Sequence, residues 1–342
     1  MIKSLLLFFA LYGFAFIPGF FLTTRLRQSK LKIFLLAAFF IYVSLLPFVI
    51  PSEYKLLRFL VIPLLFPFGI KNIDLSIRKA VAPEELIGFR EYLKSNFFIF
   101  EKIQAASQET QKPDYRGSIR FFFSGLFQIF SGTMIIFLNT YFRTPEWSWP
   151  IATILKMGCF YWFASGLTDL SFSYFRLLGK AVTPVYNEPI RAVSPEDLWS
   201  NRLNLYMRQY LVRFIFLPVG GAKYPNWGIL ATFIASGLIH EYQFDAAASR
   251  INGFVLGYFI LQGLGVVLER KLKRYLRKKH NSFYERAGRS RLIPIIFVPV
   301  HTAWAILTGA ILLKALDPII DLFNLEIIKQ VLLSLPVPPF PG

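Results

Sequence analysis

The 342 residues are 55% hydrophobic and 18% aromatic, more apolar surface than a soluble core of this length can bury, and a lipid bilayer is the solvent that matches it. The formal net charge of +18 invites a nucleic-acid reading, but the basic residues fall between apolar blocks, where membrane orientation signals lie, and this excludes nucleic acid as the partner. Cys159 is the only cysteine, which excludes an intramolecular disulfide and a Cys-x-x-Cys metal site, and no metal is expected.

The first apolar block, residues 5–22, has signal-peptide character. It lacks a small-x-small cleavage site, however, and runs straight into Arg25 and Arg27, so it is expected to be retained as a span. Arg25, Arg27, Lys30 and Lys32 have no acidic residue among them, which makes that loop cytoplasmic and places the N-terminus outside. A second span follows at 33–50. A third, at 59–70, is the weakest because Pro63 and Pro67 interrupt it. Residues 71–120 mix both signs of charge and predict a cytoplasmic region with amphipathic helices at the interface. Spans four (121–138) and five (149–170) form a hairpin whose outer link carries tryptophans suited to the headgroup layer.

Beyond Asp169, Lys180 and Arg191, the run Ser194-Pro195-Glu196-Asp197 predicts a helix start, with serine as N-cap, proline at the first helical position and acids in the first turn. On that helix Leu203, Tyr206, Met207, Tyr210, Leu211 and Phe214 recur at three-and-four spacing, with Arg202, Arg208 and Gln209 off the stripe. Such a helix lies in the interface more readily than it crosses. Pro218, Gly220 and Gly221 end it, and a short block at 227–239 leads to His240 and Glu241. The seventh span, 251–268, is followed at 270–291 by ten Lys and Arg against one Glu, a cytoplasmic anchor from which the eighth span, 292–313, exits. The expectation is an all-α polytopic membrane protein of about eight spans plus amphipathic interfacial helices, forming a single domain over 1–342, with no internal repeat.

There are three histidines. His280 sits in the basic loop and is expected to be solvated, and His301, inside the eighth span, is expected to pack or to bond between helices. His240, followed by a carboxylate at the end of an apolar helix, needs partners or a water-filled cavity, and ionisable groups at such depth are functional by default. Asn204, at the edge of the amphipathic stripe, is the second candidate.

Five segments together carry a resemblance. They are Gly166-Leu167-Thr168-Asp169, Leu177-Leu178-Gly179, Asn187-Glu188-Pro189, Leu198-Trp199-Ser200-Asn201-Arg202-Leu203-Asn204 and Ser236-Gly237-Leu238-Ile239-His240-Glu241. In this order they resemble the membrane-bound O-acyltransferase superfamily, and most of all its wax-synthase-like branch. Leu203 stands where a second tryptophan is common and Leu198 where an aromatic residue is usual. The Asn-x-Pro turn is similar also to branches that acylate polysaccharides.

The resemblance implies fatty acyl transfer from acyl-CoA, as co-substrate with no other cofactor, to a hydroxyl acceptor such as a long-chain alcohol. His240 would act as general base, since a neutral imidazole is a suitable proton acceptor near pH 7. Asn204 would be the amide donor to the developing oxyanion or to the acyl donor. Glu241, Trp199 and Asp169 are expected as supporting residues, and Arg202 and Arg208 as contacts for coenzyme A phosphates. The expected location is a bacterial cell membrane or the endoplasmic reticulum. Two other readings stay open: a transporter with a polar path through His240, Asp169 and His301, and a catalytically silent lipid-binding member of the same fold.

Overall fold

The computed structural model describes residues 2–81, 88–97, 113–141, 149–179, 185–279 and 292–320, which are helix and turn with no strand among them. The chain divides into two compact units, Met1–Glu101 with Tyr242–Ile251 and Lys102–Glu241 with Asn252–Gly342. The expected outer link around Arg143, Lys180, His280 and most of the basic loop lie outside the described residues.

The first unit contains α1 (Ile2–Phe20), α2 (Lys30–Leu45), α3 (Lys55–Val81) and α4 (Phe89–Phe97). Three stretches, Ile2–Arg25, Lys30–Val49 and Leu57–Ile77, are long and apolar enough to cross a membrane. Phe8, Phe16, Phe20, Phe39, Phe68 and Tyr92 form the core.

The structure corrects two sequence expectations here. α3 runs unbroken through Pro63 and Pro67. Pro63 has no N–H for the carbonyl of Phe59 four residues back, and Gln243 Nε2 donates to that carbonyl instead, at 3.4 Å. Lys32 is not a free loop charge. It is fully buried, and its Nζ donates to Thr23 O at 3.4 Å and Leu26 O at 3.1 Å, a cation at the carbonyl end of a helix.

The second unit contains α5 (Tyr115–Tyr141), α6 (Trp149–Leu177), α7 (Pro195–Asp197), α8 (Leu205–Leu211), α9 (Pro225–Ala248, which passes into the first unit at Tyr242), α10 (Phe254–Lys279) and α11 (Leu292–Ile320). α5 and α6 cross closely because glycine faces glycine. A Cβ on Gly125 would come within 2.8 Å of Gly166 O, and one on Gly166 within 2.8 Å of Gly125 O. On its far side α5 presents Phe123, Phe127 and Phe130, which are 64%, 66% and 65% exposed. These rings follow one another at helical spacing, apolar outward and polar inward, which suits a lipid neighbour rather than water.

The predicted helix from Ser194 to Leu217 is in fact two helices. α7 continues as a π turn, Leu198–Arg202, and the chain then breaks at an extended Leu203 and a left-handed Asn204 before α8. The break is held from outside, with Asn187 N donating to Arg202 O at 2.8 Å and Leu205 N to Val185 O at 3.0 Å. The apolar stripe itself survives, with Tyr206 and Tyr210 buried and Arg208 and Gln209 exposed. α9 does not end at His240 but continues two turns to Ala248, and the basic segment begins as helix, α10 reaching Lys279.

Candidate active site

His240 lies within α9, half-buried, on the face that carries Gly237 one turn and Phe233 two turns earlier. That face packs antiparallel on α10. A Cβ on Gly237 would stand 3.0 Å from Phe259 Cβ, and one on Gly263 would stand 2.9 Å from Phe233 Cβ. The missing side chain at Gly237 lets Phe259 approach, and its ring stacks on the imidazole of His240 at 4.9 Å between centroids and 12° between planes.

Glu241 is buried, and its two oxygens accept from Gly253 N and Leu256 N, both at 2.7 Å. The carboxylate thus caps the N-terminus of α10, where negative charge also meets the positive end of the helix dipole. Gly253 sits at φ +72° with open space around it, so it is the backbone of this tight connection, not crowding, that requires glycine. Glu241 therefore fixes the α9–α10 hairpin that brings Phe259 to His240.

Trp199 reaches the same place from the π turn after α7. Its ring lies 5.5 Å from Phe259 and 5.2 Å from Phe233, edge-on to the latter, and its Nε1 donates to Gln262 Oε1 at 3.0 Å. Gln262 is itself buried and passes the chain on, its Nε2 donating to Thr308 Oγ1 on α11 at 2.7 Å. Phe259 thus touches both the tryptophan of the Asn204 segment and the catalytic-candidate histidine.

Asn204 stands at φ 42°, ψ 52°, as N-cap of α8, and its Oδ1 accepts from Met207 N at 3.2 Å. Asparagine is one of the few side chains at ease in the left-handed region. The cap uses only the oxygen, and the Nδ2 group donates to no protein group among the described residues.

The start of α7 is anchored as the sequence predicts. Ser194 Oγ accepts from Asp197 N, and Asp197 Oδ2 accepts from Val193 N, both at 3.2 Å, a reciprocal arrangement close to a capping box. Asp197 also pairs with Arg202 Nε at 2.6 Å and accepts from Asn201 Nδ2 at 3.2 Å. Partial burial pushes against its ionisation, but Arg202, Asn201 and the Val193 N–H outweigh it and hold Asp197 below its ordinary value. Of the two arginines expected to meet coenzyme A, Arg202 is thus engaged within its own turn, whereas Arg208 is exposed and makes no ion pair with a described residue.

Asp169 lies elsewhere in the unit. Its Oδ2 accepts from Ser124 Oγ at 2.8 Å and Gln128 Nε2 at 2.7 Å, one turn beyond the Gly125–Gly166 crossing. The Gly-x-x-Asp element thus clamps α5 to α6.

Phe259, Gln262 and Glu269 are site-forming residues that sequence reasoning passed over. The signal was an amide and a carboxylate in or beside an apolar run. Glu269 Oε2 accepts from Glu196 N at 2.7 Å, and Lys273 Nζ bridges Glu269 at 2.5 Å and Glu196 at 3.1 Å. Burial disfavours the ammonium of Lys273, yet the two glutamates prevail and raise its pKa. This half-buried ion cluster, with Glu269 at its buried end, docks α7 on α10. No group of histidine, cysteine and acidic residues suited to a metal ion occurs among the described residues.

These features define a membrane-associated protein, helical throughout its described residues, with a histidine stacked on an aromatic ring that the tryptophan of the Asn204 segment also touches. No protein-family model matches the chain. It is similar to a probable long-chain-alcohol O-fatty-acyltransferase 1 of Arabidopsis thaliana, 32% identical over 144 residues, which covers 38% of this chain and 40% of that protein. It is also similar to a long-chain-alcohol O-fatty-acyltransferase of Simmondsia chinensis, 27% identical over 192 residues, which covers 51% of this chain and 53% of that one. A probable long-chain-alcohol O-fatty-acyltransferase 2 of Arabidopsis thaliana is 36% identical over 107 residues, 29% of this chain and 31% of that protein. The chain thus spans between 31% and 53% of the length of these relatives, and its resemblance to wax-synthase-like acyltransferases holds over that part.

Proposed function

We propose that the chain is a multi-pass membrane O-acyltransferase that moves a fatty acyl group from acyl-CoA to the hydroxyl of a long-chain alcohol. The observation that carries the reading is the convergence of Trp199 and His240 on Phe259, which ties the Asn204 turn to the histidine helix. Relatives named for long-chain-alcohol acylation favour an alcohol acceptor over a polysaccharide. The outward phenylalanines of α5 favour immersion of α5 and its hairpin partner α6, and α9–α11 would complete an eight-span arrangement.

The imidazole of His240 takes the hydroxyl proton as the alcohol oxygen attacks the thioester carbonyl. The carbonyl oxygen carries the negative charge of the tetrahedral intermediate, and the Nδ2 group of Asn204 donates to it. The C–S bond then breaks, and the imidazolium returns the proton to the departing thiolate, giving ester and free coenzyme A. Arg208, exposed beside this segment, is the cation placed to meet coenzyme A phosphates.

The test is purified full chain with labelled palmitoyl-CoA and hexadecanol. Wild type forms wax ester and His240→Ala forms none while keeping its melting temperature. Ester formation by His240→Ala at the wild-type rate removes the general base.

A further inference from the structure

α10 and α11 pack antiparallel along a strip that no part of the preceding mechanism uses. Gln262 bonds Thr308, and Gly265 faces Trp304, whose Nε1 would stand 2.9 Å from a Cβ there. His301, Trp304 and Thr308 therefore share one face of α11, at i, i+3 and i+7. Thr308 is satisfied, accepting from Gln262 and donating to Trp304 O at 2.7 Å. The two residues before it are not. His301 is 8% exposed and its Nδ1 has no protein partner among the described residues, and Trp304 Nε1 is buried with none among them either. Two buried nitrogens a helical turn apart, both left over, are costly unless something supplies their bonds.

The chemistry of that something is constrained. Indole Nε1–H is only a donor, so its partner must accept. An imidazole nitrogen beside it is served at the same time by a group that can also donate. A hydroxyl does both with one atom, accepting from the indole and donating to the imidazole, whereas a carbonyl or a carboxylate only accepts. We propose that His301 and Trp304 bind the hydroxyl of the alcohol acceptor, as positioning residues for the reaction proposed above, on which reading this inference rests. Water carries the same chemistry, so the experiment separates the two sources.

The measurement is equilibrium binding of labelled hexadecanol to the purified full chain without acyl-CoA, so that its outcome does not depend on turnover. Trp304→Phe and His301→Leu are each expected to weaken binding about five- to tenfold, the effect of one lost hydrogen bond. His301→Asn, whose amide can occupy the place of Nδ1, is expected to restore it. In the transfer assay the same two losses raise KM for the alcohol and leave KM for palmitoyl-CoA unchanged. Wild-type hexadecanol affinity in both Trp304→Phe and His301→Leu, with a lowered melting temperature, means that the pair holds water and overturns the proposal. Equal weakening in His301→Asn and His301→Leu means packing and overturns it as well. Failure of the wild type to form ester, with binding and its loss intact, sinks the acyl-transfer reading alone.

Discussion

Asn204 offers the sharpest experiment, because its backbone, its cap and its spare donor can be separated by substitution. Asn204→Ala forces an alanine to φ 42°, at about 1 kcal/mol beyond what asparagine tolerates there, and removes the bond to Met207 N, worth about 1 kcal/mol more. The sum, roughly 2 kcal/mol, lowers the melting temperature measurably and confounds any loss of activity. Asn204→Gly relieves the backbone and forfeits only the cap, so stability stays within about 0.5 kcal/mol of wild type. Asn204→Asp keeps the left-handed conformation and the cap oxygen, adds a favourable charge at a helix N-terminus, and deletes the Nδ2 donor.

If the amide stabilises the intermediate, Asn204→Asp and Asn204→Gly both lose about 100- to 1,000-fold in kcat, about 3 kcal/mol, with melting temperatures near that of the wild type. The assay is wax-ester formation from labelled palmitoyl-CoA under saturating alcohol, alongside thermal unfolding followed by intrinsic fluorescence. Wild-type kcat in either variant would refute the reasoning, and reduce Asn204 to a residue that shapes a turn.

Gly237→Ala places a Cβ 2.9 Å from Leu256 Cδ1 and 3.0 Å from Phe259 Cβ. The overpacking, about 1–3 kcal/mol, moves Phe259 off His240, and transfer activity is expected to fall at least tenfold. Gly257→Ala, where a Cβ meets nothing within 4 Å, is the control and is expected to raise stability by up to about 1 kcal/mol. Glu241→Gln leaves at most one of the two α10 amides with an acceptor and is expected to cost about 1.5–3 kcal/mol, read as a drop in melting temperature. Acid titration should find Asp197. Its folded pKa lies below its ordinary 3.8, so the unfolded chain takes up its proton first. Its contribution is then complete well above pH 3.8 and is lost as pH falls through the lower folded value. Asp197→Asn should flatten that part of the stability profile.

Hydropathy alone placed most of the helices, because a segment long and apolar enough to cross a bilayer announces itself by length and composition, as residues 5–22 and 33–50 do. The start of α7 was equally legible, since serine, proline and two acids each act locally. What composition could not carry was long-range backbone pairing. Nothing in the stripe from Leu203 to Phe214 announces that Val185 and Asn187 will hold the chain open at Asn204. Pro63 misled for a related reason, since the donor that spares α3 sits at Gln243, 180 residues on. His240 stood out by its own context, a carboxylate neighbour in an apolar helix, and the motif resemblance gave it and Asn204 their roles, whereas Phe259 was invisible because one phenylalanine in an apolar run looks like any other.

Neighbouring residues on an α-helix point about 100° apart. With both oxygens of Glu241 tied down at the head of α10, α9 cannot roll about its own axis without breaking two charged bonds, and the bearing of the imidazole one residue earlier is set as a compass needle is set by its mount. Aim is thus controlled by a side chain that need never meet a substrate, and substitutions at Glu241 should swing His240 off target before they unfold anything.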